Sequence, residues 1–331
     1  MKRCIFILPW FGPLRNYFSL FLRSCEANSN YDWLLITDQN ISSVPGNVEI
    51  LSTTFPEFRA YIQSKFDFPL ALDRPYKICD FKPALGYVFE EKLKGYEYWG
   101  HCDCDLVFGL LEPALEPLFD LGYEKLFAGG HLTIYKNNPD VNCLFMSHEV
   151  HGESMYRIAF SHGQPFAFDE MLWKRNVHTL FIEQGASVYE NDLSFNASTR
   201  FFGLRREYYA PSIRRWTVQD QVPKALWVDE SGVRGLYQLS GAAEVRSYIY
   251  AHLQGRKMHF RYCDNLGPRI QIGPDWFAPL DESIESPLVP SGLHPCPPSY
   301  KAARLALRRA KMSILNTDID PSSIDPYLSY E

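Results

Sequence analysis

The sequence predicts an α/β fold, a mixed sheet flanked by helices. Two observations predict it. The chain opens as strand, loop, helix, strand, which reads as a βαβ unit. Further on, an aromatic strand-like run over residues 96–105 ends in two aspartates spaced i, i+2, followed by an apolar turn closed by Gly109. At 331 residues, 46% hydrophobic and 15% aromatic, the chain can bury a large core.

The elements follow in order. Residues 4–8 are a short apolar strand and residues 9–13 a loop. The apolar opening is too short, and too soon broken by Pro9 and Gly12, for a secretory leader. Residues 17–25 carry helical apolar spacing at Phe18, Phe21, Leu22 and Cys25. Residues 31–38 form a second strand ending in Asp38. Ligands of such sheets sit at the carboxyl ends of strands, where the 9–12 loop and Asp38 both lie. Residues 76–94 read as helix with a break at Pro83, 96–105 as a strand and 110–121 as a short helix. Residues 125–128 and 131–135 read as strands around Gly129 and Gly130, and 141–150 and 169–175 as helices. Residues 225–237 read as a hairpin turning at Ser231-Gly232. Residues 247–255 read as a helix and 258–261 as a late strand. The proline-rich stretch 268–298 shows little periodicity and is expected to wrap the surface.

Side chains alternate along a strand, so Asp103 and Asp105 are expected on one face. Two adjacent carboxylates repel unless a cation joins them. Hard oxygen ligands suit Mg2+ or Mn2+, which keep positions open for phosphate oxygens. The alternative is a strand end with two solvated aspartates. A second Asp-x-Asp, Asp318-Ile319-Asp320, has no strand before it and reads as a solvated tail.

A net charge of −6 excludes a global nucleic-acid footprint. The eight cysteines contain no CxxC pair, which argues against structural zinc. They are expected as free thiols of a cytoplasmic protein. No stretch reaches transmembrane length.

Several motifs carry a resemblance. They are Ile7-Leu8-Pro9-Trp10-Phe11-Gly12, Tyr76-Lys77-Ile78-Cys79-Asp80-Phe81-Lys82-Pro83 and Trp99-Gly100-His101-Cys102-Asp103-Cys104-Asp105. Gly129-Gly130-His131-Leu132-Thr133, Phe168-Asp169-Glu170 and His259-Phe260 support them. Over residues 1–265 the chain resembles the GT-A superfamily of nucleotide-sugar glycosyltransferases, and within it a group of bacterial polysaccharide-biosynthesis proteins. The resemblance implies a Rossmann-like mixed sheet, with residues 1–110 as the nucleotide-binding half and 111–265 as the acceptor half. Residues 266–300 would be a wrapping segment and 301–331 a basic helix and polar tail. It implies Mn2+ or Mg2+ held by Asp105, by Asp103 (or Asp103 reaching the ribose), and by a late histidine, for which His259 is the candidate. It implies a nucleotide-sugar donor, a UDP-sugar, contacted by Pro9, Phe11, Gly12, Asp38, Lys77, Asp80, Lys82, Asp103, Gly130 and His131. The acceptor would be a saccharide or lipid-linked molecule of surface-polysaccharide (O-antigen or capsule) synthesis, and the reaction a hexosyl transfer.

An inverting transferase needs a general base, and a retaining one does not. Asp169 and Glu170 follow an aromatic run some sixty residues after Asp105, and either one is the candidate base, which favours inversion. Their other reading is a helix N-terminus favouring acidic residues. Gly129 and Gly130 allow close approach of backbone to a ligand beside His131. His131 otherwise reads as a strand-edge histidine.

Two further readings compete. A nucleotidyltransferase also uses acidic metal ligands, but its glycine-rich basic loop is poorly matched by residues 9–15, with Gly12 and Arg15 only. A non-catalytic sugar-binding protein on the same scaffold is the other. The helix 301–312 carries Lys301, Arg304, Arg308, Arg309 and Lys311 with no acid. It is expected either to dock on the inner face of the membrane or to stay solvated or core-packed.

Overall fold

The computed structural model describes residues 2–147, 154–170, 176–201, 203–239, 242–261 and 267–280. The chain divides into two units, Met1–Leu193 with Tyr209–Trp216, and Ser194–Tyr208 with Thr217–Glu331.

The first unit is built on β1 (Cys4–Trp10), β2 (Asp32–Thr37), β3 (Val48–Ser52), β4 (Tyr98–Cys102), β5 (Leu106–Phe108), β6 (Lys125–Leu126), β7 (Leu132–Lys136) and β8 (Val188–Tyr189). Seven of them form one mixed sheet in the order β3-β2-β1-β4-β7-β6-β8. β1 pairs in parallel with both β2 and β4, and β2 with β3. β7 runs antiparallel to β4 and β6. The expected α/β class and βαβ opening are observed. β1 and β2 are buried along nearly their whole length, as central parallel strands covered on both faces must be. Between them α1 (Phe18–Glu26) buries Phe18, Leu20, Phe21 and Cys25. The sheet's interior is aromatic: Phe6 stacks on Trp33 at 5.3 Å, and Trp99 on Tyr135 at 4.7 Å.

Several elements depart from expectation. β3 and α2 (Phe55–Gln63) carry no assignment in the sequence reading, although Thr54-Phe55-Pro56-Glu57 forms a complete capping box with proline in the first turn. The 76–94 segment is not one helix but a run of short α and 3-10 turns from Pro75–Lys77 to Glu90–Leu93. Pro83 removes an amide donor. Gly86 lies where a Cβ would stand 2.2 Å from the Trp99 ring, so helix and sheet approach closely there. The helix expected at 110–121 is α3 (Glu112–Asp120). Residues 148–150 and 171–175, expected as helical, lie outside the described residues.

In the second unit, β9 (Phe195–Ala197) pairs antiparallel with β10 (Arg206–Ala210) through Arg206 and Glu207. The expected hairpin is present as β12 (Ala225–Asp229) and β13 (Gly232–Leu239), preceded by β11 (Arg215–Val218). Its turn lies one residue early, at Glu230-Ser231, because Gly232 itself pairs with Asp229 and takes a φ of 101°. Residues 247–255 are not helical: β14 (Ala242–Tyr248) and β15 (Tyr250–His252) occupy them, with a turn beyond. β16 (His259–Phe260) is the expected late strand. The segment expected to wrap the surface begins instead with β17 (Ile270–Ile272) and β18 (Trp276–Pro279), whose buried side chains join a six-stranded sheet. The short length of both strands hides any period in the sequence. The basic helix over 301–312 lies outside the described residues. Among the described residues no helix is long and apolar enough to cross a membrane. Cys4, Cys25, Cys79, Cys102, Cys104 and Cys143 are free thiols.

Candidate active site

The carboxyl ends of β1 and β2 bring Gly12 to Asp38, while Pro9 and Trp10, expected in a loop, extend β1 and pair with Ile36 and Thr37. Gly12, at a φ of 102°, donates its N–H to Asp38 Oδ1 at 3.2 Å. Trp10 Nε1 donates to the Gly12 carbonyl at 3.1 Å. Pro9 is buried, and Phe11 is buried against Phe55 and Phe58 at 5.4 and 5.1 Å between rings. Phe58 also lines a cavity of about 650 Å3 at the ends of β2 and β3, with Ser52, Thr53, Tyr61 and Phe89 in its wall.

β4 ends at Cys102, so Asp103 and Asp105 stand in a turn and not on the strand. Strand alternation therefore does not explain their pairing. The turn does: it points Cys104 into the core and leaves the two carboxylates within 4.8 Å of each other. The Asp103 amide donates to the His131 carbonyl at 3.0 Å, which ties this turn to the Gly129-Gly130 turn before β7. Lys82 joins them. Its Nζ donates to Asp103 Oδ1 at 2.7 Å and to the Gly130 carbonyl at 2.8 Å, and lies 3.4 Å from Asp169 Oδ2. Burial alone would lower the Lys82 ammonium's pKa, but the two aspartates outweigh it and hold it above the ordinary amine range.

Asp169 is buried beside Lys82. Burial pushes its carboxyl well above the usual range. Lys82 opposes that shift, and Glu170 adds to it. The close approach of Asp169 requires Gly130: a Cβ there would stand 2.3 Å from Asp169 Oδ2 and 3.2 Å from Glu170 Cβ. Gly129 makes the matching allowance for His131, whose Nε2 would lie 2.8 Å from a Cβ at 129. The His131 ring is buried and meets Trp216 edge-on at 5.8 Å. The neighbouring His101 is buried in the sheet and held neutral, first by burial and then by Lys82 and Lys125.

Lys77 and Asp80 are placed differently from expectation. Both side chains are fully buried and form an ion pair of 2.6 Å. Lys77 Nζ also donates to the carbonyls of Ala159 and Gln164 at 2.7 and 2.8 Å. Asp80 accepts the amides of Phe166 and Phe168, each at 2.8 Å. No polar atom of the pair faces solvent, so a contact from either to a sugar is replaced by a clamp on residues 159–168, the approach to Asp169. Burying a charged pair demands such complete hydrogen bonding.

His259 belongs to the second unit, on exposed β16, with its amide donating to the Asp275 carbonyl at 2.8 Å. Among the described residues of that unit it joins no cluster of metal-ligand side chains. Cys79, given no role by the sequence reading, has its Sγ within 4.8 Å of carboxylate oxygens of Asp80 and Asp169. Its i−1 position to Asp80 is the signal that was available. Trp216 is far from Gly129 in sequence and offered no such signal.

The first unit is thus an α/β sheet whose strand ends gather paired aspartates, a shared lysine and a buried carboxyl group. The chain belongs to a protein family of unknown function, DUF6625, which it matches over residues 6–281. No curated protein matches in sequence. Among solved structures, it is similar to the galactosyltransferase LgtC in complex with donor and acceptor sugar analogs, at 9% identity and a TM-score of 0.32. That match covers 59% of this chain and 76% of the other. An active-site mutant of LgtC matches at 10% identity with the same TM-score and coverage.

Proposed function

We propose that this chain is a metal-dependent glycosyltransferase that moves a hexose from a UDP-sugar to a saccharide or lipid-linked acceptor in bacterial surface-polysaccharide synthesis. The observation that carries the reading is the meeting of Asp103 and Asp105 within 4.8 Å at the carboxyl end of β4, beside Lys82 and buried Asp169. The paired carboxylates are hard oxygen donors at the spacing a divalent cation can bridge, and Mg2+ or Mn2+ fits them. Such an ion, when bound, supplies positive charge to a departing diphosphate. Lys82 adds a second positive charge at the same place. The Gly12 amide and Asp38 form the edge that would receive the nucleoside, with Phe11 behind them. Asp169 is the base candidate for the acceptor hydroxyl, on the inverting reading. Lys82 stabilises its ionised form against the burial that favours the proton. The Lys77–Asp80 clamp fixes the backbone that carries it.

Thermal unfolding with UDP and Mn2+ tests this. UDP with Mn2+ should raise the melting temperature of the wild type, as any ligand of the native state does. Asp105→Ala should remove that increment while unfolding cooperatively without ligand. A wild-type melting temperature indifferent to UDP-, GDP- and CMP-sugars with either metal would overturn the reading. Nucleoside triphosphate cleavage to pyrophosphate would favour a nucleotidyltransferase instead.

A further inference from the structure

Among the described residues the most exposed large apolar side chain is Tyr76, at 75%. Its surroundings are not those of an idle surface ring. It stands on the single turn Pro75–Lys77, which opens with proline. The next residue, Lys77, is anchored beneath it by three hydrogen bonds, and the preceding Arg74 donates to Gln164 Oε1 at 2.6 Å. The backbone under the ring is therefore held from both sides. Tyr76 lies on that turn and Cys79 on the short helix Ile78–Phe81 that continues it, an i, i+3 spacing that sets helical neighbours on one face. The Cys79 Sγ lies within 4.8 Å of a carboxylate oxygen of Asp169. The phenol pKa is raised, first by desolvation, then by Cys79, Asp169 and Glu170, with Lys82 opposing. The ring thus lies open one turn before Cys79, the thiol that reaches Asp169.

We propose that Tyr76 is the stacking platform of an acceptor subsite, packing its face on the C–H face of the acceptor's terminal pyranose while Asp169 and Glu170 receive that sugar's hydroxyls. This rests on the glycosyltransferase reading of the cluster. A sugar ring has one apolar face and a rim of hydroxyl donors, which match a rigid aromatic face edged by carboxylates. A diphosphate does not suit this end of the cluster, because Asp169 and Glu170 would repel it. That leaves the uncharged reactant, whose attacking hydroxyl must lie beside Asp169.

The test uses the full chain with UDP and Mg2+. Saturation-transfer NMR is run with methyl glycosides of glucose, galactose, mannose, rhamnose and N-acetylglucosamine, on wild type, Tyr76→Ala, Tyr76→Phe and Tyr76→Trp. At least one glycoside should receive saturation on the ring protons of one face in the wild type. Tyr76→Ala should weaken its Kd about tenfold, roughly 1.4 kcal/mol, and Tyr76→Trp should retain binding. The melting temperatures and the UDP-dependent increment should be the same in all four proteins, since the ring supports neither core nor donor. A glycoside Kd unchanged in Tyr76→Ala, or no saturation of any glycoside by the wild type, overturns the subsite. A wild type that ignores UDP but binds a glycoside through Tyr76 overturns the transferase reading and keeps the platform.

Discussion

Replacing Asp80 by alanine probes the most committed contact in the first unit. Asp80 is fully buried and accepts from Lys77 Nζ, the Phe166 amide and the Phe168 amide. Its loss leaves a buried ammonium without a counter-ion, at about 3–5 kcal/mol. It also leaves two amides without acceptors, each at about 1–3 kcal/mol. Together these reach the order of 5–10 kcal/mol, against a whole-protein stability of about 5–15 kcal/mol. Asp80→Ala should therefore be unfolded or nearly so. Lys77→Met is milder, because Asp80 keeps both amide donors, and should cost about 3–5 kcal/mol. Lys77→Met/Asp80→Asn removes both charges together, which for buried pairs is often close to neutral, and leaves one of the two amides facing the Asn NH2, at about 1–3 kcal/mol. The double variant should then be less destabilised than the sum of Lys77→Met and Asp80→Asn, with a coupling of about 2 kcal/mol in the cycle those three variants form with the wild type. Urea unfolding followed by circular dichroism measures each value. A loss below about 1 kcal/mol for Asp80→Ala, the range of an ordinary surface change, would refute the clamp and return Asp80 to a solvent-facing role.

Three further outcomes follow from the geometry. Asp169→Asn should lower turnover by about 10²–10⁴-fold with UDP affinity unchanged, and comparison with Glu170→Gln in the same steady-state assay decides which carboxyl is the base. Gly130→Ala puts a methyl 2.3 Å from Asp169 Oδ2, so the carboxyl must withdraw by about 1 Å, and turnover should drop on the order of 10²-fold while the UDP-dependent melting shift persists. Lys125, buried in the sheet, has its amine pushed down from 10.5 to about 7 by burial. Between those values the unfolded chain binds a proton that the folded chain does not, so stability should rise with pH from about 7 upward, by up to a few kcal/mol. Lys125→Met should flatten that slope in melting curves recorded from pH 6.5 to 10.

Where residues carry their own local rule, the sequence was readable. The buried runs of β1 and β2, the helical spacing of α1 and the hairpin at Gly232 all follow nearest-neighbour chemistry. Long-range choices were not readable in the same way. Residues 247–255 have helical composition, yet they lie in β14 and β15, because pairing with β13 and β9 outweighs local propensity. Residues 270–279 look like linker, but Ile270, Ile272, Trp276 and Phe277 are core. At the site, Asp103 and Asp105 were legible by type and spacing, whereas Lys82 entered only through the resemblance, as a contact to sugar or phosphate and not as the partner of Asp103. That Lys77 and Asp80 would satisfy each other, and not a ligand, depends on carbonyls and amides more than eighty residues away. The capping box Thr54-Phe55-Pro56-Glu57, by contrast, is a local signal that marks the start of α2.

The two glycines before His131 show why the candidate site is built from segments so distant in sequence. β4 and β7 are neighbours in the sheet, with Cys102 opposite Leu132, so the turn after β4 and the turn before β7 must meet. The Asp103 amide binding the His131 carbonyl is that meeting. A side chain at either 129 or 130 would fill the space above it. Without one, Asp169 comes in over residue 130 and the His131 ring folds back over residue 129. Lys82 then reaches the same point and bonds the Gly130 carbonyl and Asp103 at once. One ammonium thereby serves two aspartates from different segments, and Asp169 is the more distant of the two at 3.4 Å. Burial favours the protonated acid at Asp169, and Lys82, the side chain that also holds Asp103, opposes it.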